Sequence, residues 1–158
     1  MPDMNWKPFT IDELQKLLVG FDRWFLDGGV ALDHFLGRST RAHGDLDIGI
    51  FSEDADALLT FLINGGLEVY DASSGLERVT SPSYREQSYN YWVSDRKHYK
   101  VQVLVYNAEG RHVVFRRNPE VKWPRQAFIL MKGQLRLVNP LVIYAFKVTT
   151  KSIEQKDL

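Results

Sequence analysis

Hydrophobic and polar positions divide this chain into short helical and extended stretches. Leu14, Leu17 and Leu18 recur at helical spacing behind Thr10 and Glu13, a capping box, and Gly20 ends the helix they predict. Phe21 to Leu26 predicts a strand and Gly28-Gly29 a turn. Val30 to Leu36 predicts a short helix with Ala31, Leu32, Phe35 and Leu36 on its apolar side and Gly37 as its cap. Asp45 to Phe51 alternates polar and apolar residues and predicts the second strand. Ser52-Glu53-Asp54 opens a helix with a buried stripe of Ala57, Leu58, Phe61 and Leu62, stopped at Asn64-Gly65-Gly66.

Leu67 to Tyr70 reads as a strand, and Ala72 to Glu86, rich in Ser, Gly and Pro, as an irregular loop. Tyr89 to Ser94, Tyr99 to Tyr106 and Arg111 to Arg116 predict an antiparallel meander, with turns at 95–98 and 107–110. The middle strand carries apolar residues on both faces and should be central. Asn118-Pro119 and Trp123-Pro124 break the chain. Gln126 to Met131 and Gln134 to Val138 are short strand candidates, and Pro140 opens a last helix. That helix reaches Lys156-Asp157-Leu158 without a stop signal, as expected of a helix cut short. Residues 1–9 are expected to form an arm. The order of elements predicts a single α+β domain over 1–158, a mixed sheet flanked by helices.

Composition narrows the function more than the fold. Lysine and arginine together number 20, as do aspartate and glutamate, so the formal charge is zero. A nucleic-acid partner relying on bulk positive charge is therefore not expected. The absence of cysteine excludes disulfides and thiolate chemistry. No apolar run is long enough for a membrane span, and the N-terminus lacks the pattern of a signal peptide, so a cytoplasmic protein without a membrane partner is expected.

The chemistry-bearing stretch is Trp24 to Ile50, WFLDGGVALDHFLGRSTRAHGDLDIGI. On a strand Asp45 and Asp47 share a face, while Leu46 and Ile48 point into a core. Adjacent carboxylates repel unless a cation lies between them, and oxygen-only ligands suit a hard ion such as Mg²⁺ shared with substrate phosphates. Gly28 and Gly29 let backbone approach a phosphate, and Arg38, Arg41 and His43 are cations able to neutralise it. An isolated Asp-x-Asp also suits a strand edge facing water. Each arginine also suits a solvated surface, and His43 also suits a loop anchor. Asp33 reads as surface or structural rather than catalytic, and Lys147 suits either a reach to phosphate or, more simply, a solvated helix face.

The string GGVALDHFLGRSTRAHGDLDI resembles the nucleotidyltransferase superfamily that includes DNA polymerase β, and most nearly its small aminoglycoside and lincosamide branch. Gly28, Gly29, Asp45 and Asp47 carry the match. Phe146-Lys147 and Lys156-Asp157 are similar to the last-helix pattern of that branch. The resemblance implies that Asp45 and Asp47 hold Mg²⁺ and that Gly28 and Gly29 present amides to the phosphates of ATP or another nucleoside triphosphate. A hydroxyl on a small aminoglycoside- or lincosamide-like acceptor would then take the nucleoside monophosphate, AMP above all. Active members usually carry a third carboxylate on a later central strand. Here the corresponding polar position is Gln102, which cannot take a proton. Asp71, Asp95 and Glu109 are other acids to weigh for that role. The alternatives are a catalytically impaired nucleotide- or partner-binding module and a transferase acting on protein or tRNA. The aromatics Tyr89, Tyr91, Trp92, Tyr99 and Tyr106 suit either cross-strand packing or an acceptor cleft. Arg111, Arg116, Arg117 and Lys122 suit either a solvated face or a local basic patch.

Overall fold

A computed structural model describes residues 7–39, 42–73, 75–85, 87–96 and 99–148. In chain order the elements are β1 (Lys7–Pro8), α1 (Ile11–Leu17), β2 (Phe25–Asp27), α2 (Gly28–Leu36) and β3 (Asp47–Phe51). A 3-10 turn (Ser52–Asp54) leads into α3 (Ala55–Asn64), then β4 (Glu68–Asp71), β5 (Glu77–Arg78), β6 (Asn90–Ser94), β7 (Tyr99–Glu109) and β8 (His112–Val114). The chain closes with β9 (Lys122–Pro124), α4 (Arg125–Phe128), β10 (Ile129–Lys132), β11 (Leu135–Val138) and α5 (Pro140–Val148). The mixed sheet runs β10-β11-β2-β3-β7-β6-β4-β5, with β1 and β8 added along β7 and β9 along β8. The expected α+β mixed sheet is therefore the fold.

Local signals act where the sequence places them. The Thr10 hydroxyl accepts the Glu13 amide at 3.1 Å and caps α1. Gly37 takes the left-handed conformation that ends α2, with its amide and that of Arg38 returning to the last-turn carbonyls. β7 is central, lying parallel to β3 and antiparallel to β6. Val101, Val103 and Val105 are buried in one cluster with Leu14 of α1 and Leu58, Leu59 and Leu62 of α3.

Several boundaries differ from the pattern-based reading, some of them through pairing with distant chain. Residues 7–9, expected in the arm, instead join the sheet: β1 lies parallel to β7, and Phe9 is buried with its amide on the Lys100 carbonyl. Phe21 to Trp24 is not strand. The Arg136 guanidinium takes the carbonyls of Asp22 and Trp24 there, at 2.7 and 2.9 Å. The glycine pair is not a separate turn but the first two residues of α2, capped by Asp27. On α3 the buried stripe includes Ala55 and Leu59, while Ala57 and Phe61 are only partly covered. The 72–86 loop contains β5. Trp123-Pro124 ends an edge strand rather than breaking the chain, a place where proline's missing donor costs little. Residues 125–128 form a helical turn ahead of β10. Arg41 and residues 149–158 lie outside the described residues, and the Lys147 side chain is not described.

Gly49 shows how tightly β2 and β3 meet. A Cβ at that position would lie 2.2 Å from Cε2 of Phe25, a fully buried ring. Phe25 packs at centroid distances of 5.2 Å on Phe51 and 6.0 Å on both Tyr106 and Phe128. The cluster lies on the sheet face that carries Asp47. Gly49→Ala must displace this ring cluster, and overpacking of that kind costs about 3 kcal/mol. A fall in the urea midpoint with unchanged slope would show it; an unchanged midpoint would contradict the packing described.

Candidate active site

Register brings together residues that the sequence scatters. In the antiparallel pair β2–β3, Asp27 lies opposite Asp47. In the parallel pair β3–β7, Asp47 lies beside Gln102. Directly paired residues share a sheet face, so Asp27, Asp47 and Gln102 form a row across three strands. Asp45 precedes β3 and is exposed, and Lys100 Nζ reaches its carboxylate at 3.2 Å. The same ammonium lies 4.2 Å from the Trp92 ring centroid. With Asp45 half in solvent, this pair adds little stability and serves chiefly to place a positive charge beside the carboxylates.

Asp27 is the candidate-site residue that sequence reading missed. Its buried carboxylate accepts the Gly28 amide at 2.7 Å and the Tyr106 hydroxyl from β7. Burial pushes the Asp27 carboxyl up, against those two donors, which favour its charged form. Burial foremost, then the charges of Asp27 and Asp45, raise Asp47 to about 7, while Lys100 pulls it down. The available signal was the acid between an apolar run and a glycine pair. That position also suits an ordinary helix cap, and Asp27 is one.

Gly28 and Gly29, expected as a phosphate-binding turn, open α2 and differ in what they offer. The Gly28 amide is held by Asp27 rather than open to a phosphate. Gly28 matters instead for space and backbone: its φ is +64°, and a Cβ there would lie 2.3 Å from Asp47 Oδ2. Gly29 stands in the first turn of α2, where amides lack partners within the helix. His43 Nε2 pairs with Asp33 Oδ2 at 2.6 Å, anchoring the loop before β3 to α2, so Asp33 is structural, as expected. Arg38 is exposed just past the cap of α2. Gln102 is at the expected place, and its Nε2 donates to Asn90 Oδ1 at 3.0 Å. Of the other acids, Asp71 is taken by the Ser73 amide and the Ser88 hydroxyl.

Asp47 Oδ1 is buried with no hydrogen-bond partner, as a ligand oxygen awaiting a cation would be. Among the described residues no three ligating side chains converge on one point. Two carboxylates completed by substrate phosphates is the arrangement that suits Mg²⁺. A cleft of about 400 Å³ is lined by Asp27 and Gly28, by Leu104 and Tyr106 of β7, and by Arg116 and Arg117 beyond β8. A larger hollow of about 510 Å³, lined by residues such as Gln15, Val19 and Gln134, contains none of Asp27, Asp45 or Asp47. Of the two, the cleft lined by Asp27 is therefore the one that adjoins the candidate site. Among the described residues no helix is long and apolar enough to cross a membrane.

Comparison with known proteins adds a family and a fold. Residues 11–128 match the family model described as aminoglycoside-2''-adenylyltransferase. The structure of the lincosamide antibiotic adenylyltransferase LnuA with lincomycin bound aligns with a TM-score of 0.62 at 15% identity, covering 94% of this chain and 91% of that one. ANT(2")-Ia in complex with adenylyl-2"-tobramycin aligns with a TM-score of 0.51 at 18% identity, covering 86% and 76%. The solution structure of ANT(2'')-Ia gives 0.55 at 18% identity, covering 91% and 76%. These identities speak to fold alone. A comparison with curated protein sequences gives no match.

Proposed function

The chain belongs to the aminoglycoside-2''-adenylyltransferase family, and from that premise we propose that it transfers AMP from ATP to a hydroxyl of a small acceptor. The aminoglycosides and lincosamides of its structural neighbours represent that kind of acceptor. The observation that carries the reading is Asp47. Its carboxyl is packed against Gly28, its pKa raised by burial first and then by neighbouring acids, and one of its oxygens is orphaned. That arrangement is costly for an empty strand edge and useful for a bound cation.

In this reading Asp45 and Asp47 hold Mg²⁺ together with the triphosphate. The ion would supply neutralisation of charge at the α-phosphate. The remaining work belongs to the chain. Asp27, through its bonds to Gly28 and Tyr106, fixes the β2–α2 turn against β7, so the amides at the start of α2 face the phosphates. Lys100 pairs with Asp45 and limits repulsion within the acidic cluster. Arg38 and His43 border the same unit, with His43 setting the loop. The acceptor hydroxyl attacks the α-phosphorus, and pyrophosphate leaves as the P–O bond to the β-phosphate breaks. Positioning and charge account for most of such chemistry.

Gln102 favours a second reading, nucleotide binding with poor turnover, because it puts a neutral amide beside Asp47. Pyrophosphate release from labelled ATP in the presence of Mg²⁺ and hydroxylated acceptors tests both. Transfer above background supports the enzyme; tight Mg²⁺-ATP binding with no transfer supports the binding module. Gln102→Glu is expected to raise kcat by about tenfold or more, since a positioned base contributes 10²–10⁴. ATP affinity should stay within about threefold. An unchanged or lower kcat would show that the acceptor is activated from elsewhere.

A further inference from the structure

We propose that Lys100 holds Asp45 against free divalent cations and yields it only to a cation arriving with its nucleotide, after which the released ammonium pairs with the triphosphate. The inference rests on the reading of Asp45 and Asp47 above and adds an order of loading to it.

Three observations support it. The first is the contact itself. Lys100 Nζ engages the Asp45 carboxylate at 3.2 Å, so a cation that takes this carboxylate must displace an ammonium or share with it. The second is the unequal exposure of the pair. The Asp45 side chain is 56% exposed and that of Lys100 only 13%. An ion arriving from solvent therefore meets the carboxylate first, while the ammonium is mostly covered. The third is how Lys100 is held. Its carbonyl accepts the Phe9 amide at 3.0 Å, and Pro8 of β1 and Ser94 of β6 lie beside it in the sheet. The backbone is fixed on both sides, which leaves any adjustment to the side chain. The ammonium lies 4.2 Å from the Trp92 ring centroid, so it keeps an aromatic anchor when the carboxylate is taken.

A free divalent ion would gain Asp45 but strand a covered ammonium beside its own charge. Breaking a covered ion pair from one side leaves the other charge uncompensated, and like charges a few ångströms apart repel. The Trp92 ring offsets only part of that loss. A triphosphate changes the balance, because its oxygens give the ammonium charge-assisted hydrogen bonds in place of the one it gave up. A lysine binds phosphate as a positive point, with no fork geometry to satisfy. Lys100 is placed for that role, since Gln102, two residues along the same face of β7, lies beside Asp47. The exchange moves no proton and breaks no covalent bond.

The test is a pair of titrations on the full chain, with Mn²⁺ as a paramagnetic substitute for Mg²⁺. Free Mn²⁺ is followed by electron paramagnetic resonance, and a non-hydrolysable ATP analogue saturated with Mn²⁺ by calorimetry. Lys100→Met should bind free Mn²⁺ at least about tenfold more tightly than the unaltered protein, and the loaded analogue about tenfold more weakly. Lys100→Arg should keep the unaltered pattern in both. Asp45→Asn added to Lys100→Met should erase the gain for free Mn²⁺. An unchanged or lower affinity for free Mn²⁺ in Lys100→Met overturns the inference, as does a gain that survives Asp45→Asn. So does an unchanged or higher analogue affinity in Lys100→Met, which would leave the ammonium no role at the triphosphate. Tight uptake of free Mn²⁺ by the unaltered protein, at micromolar concentration, overturns it with no variant at all. Each of these results leaves the nucleotide site standing. Failure of the loaded analogue to bind the unaltered protein overturns the transfer reading itself, and this inference with it.

Discussion

Asp47→Asn is expected to abolish AMP transfer, by roughly three orders of magnitude, and at the same time to stabilise the metal-free protein at neutral pH. The two effects share one cause. The Asp47 carboxyl sits at about 7 in the folded chain because burial and the charges of Asp27 and Asp45 oppose its ionisation. The ordinary value, 3.8, applies once the chain unfolds. Between those values the folded state holds a proton that the unfolded state has released, so stability falls as pH rises through this window. Three units correspond to about 4 kcal/mol as an upper bound, shared among the coupled acids. Asparagine carries no charge and escapes the loss. Thermal melts in chelator should show the unaltered protein losing stability from about pH 4 to pH 7 relative to the variant. Mg²⁺ with ATP should stabilise the unaltered protein alone. A variant that kept transfer would remove Asp47 from the site. A variant whose melting temperature followed the unaltered protein across the window would refute the strained-carboxylate account.

Gly28→Ala should be the most damaging single methyl addition at the site. Its Cβ would stand 2.3 Å from Asp47 Oδ2, and the residue would have to keep φ near +64°. Left-handed backbone costs an alanine about 1–2 kcal/mol. The carboxylate must also rotate away, and a displacement of about 1 Å at a reacting centre costs about a hundredfold in rate. Melting temperature should fall by several degrees, and kcat/KM by about a hundredfold or more. Retention of more than half the activity would show that Asp47 does not depend on the open space at Gly28.

The sequence carried the local half of this picture. The capping box at Thr10, the left-handed Gly37, the helix between the glycines and the basic loop, and the Asp45-Leu46-Asp47 alternation are all short-range patterns, each decided within a few residues. Register is not written in such patterns. Asp27 suits a helix cap and joins the candidate site because β2 pairs with β3 so that Asp27 meets Asp47. Lys100 reads as one more strand lysine until β7 lies parallel to β3. Pro124 reads as a breaker and is tolerated because β9 lies on an edge. Residues 7–9 look like an arm and become strand because β7 offers them a free flank. For Asp27, Lys100 and residues 7–9 the deciding partner is twenty or more residues away, where propensity and periodicity carry no information.

The tie between Tyr106 and Asp27 joins positions 79 apart in the chain, and the tie between Arg136 and Trp24 spans 112. Loops of that size must close before either contact contributes anything, which makes the acidic row a late arrival in folding. Its mutually repelling carboxylates then meet only when most of the sheet is in place to hold them. Refolding should be slow, governed by topology rather than by helix formation, and the ability to bind Mg²⁺-ATP should return with the final phase.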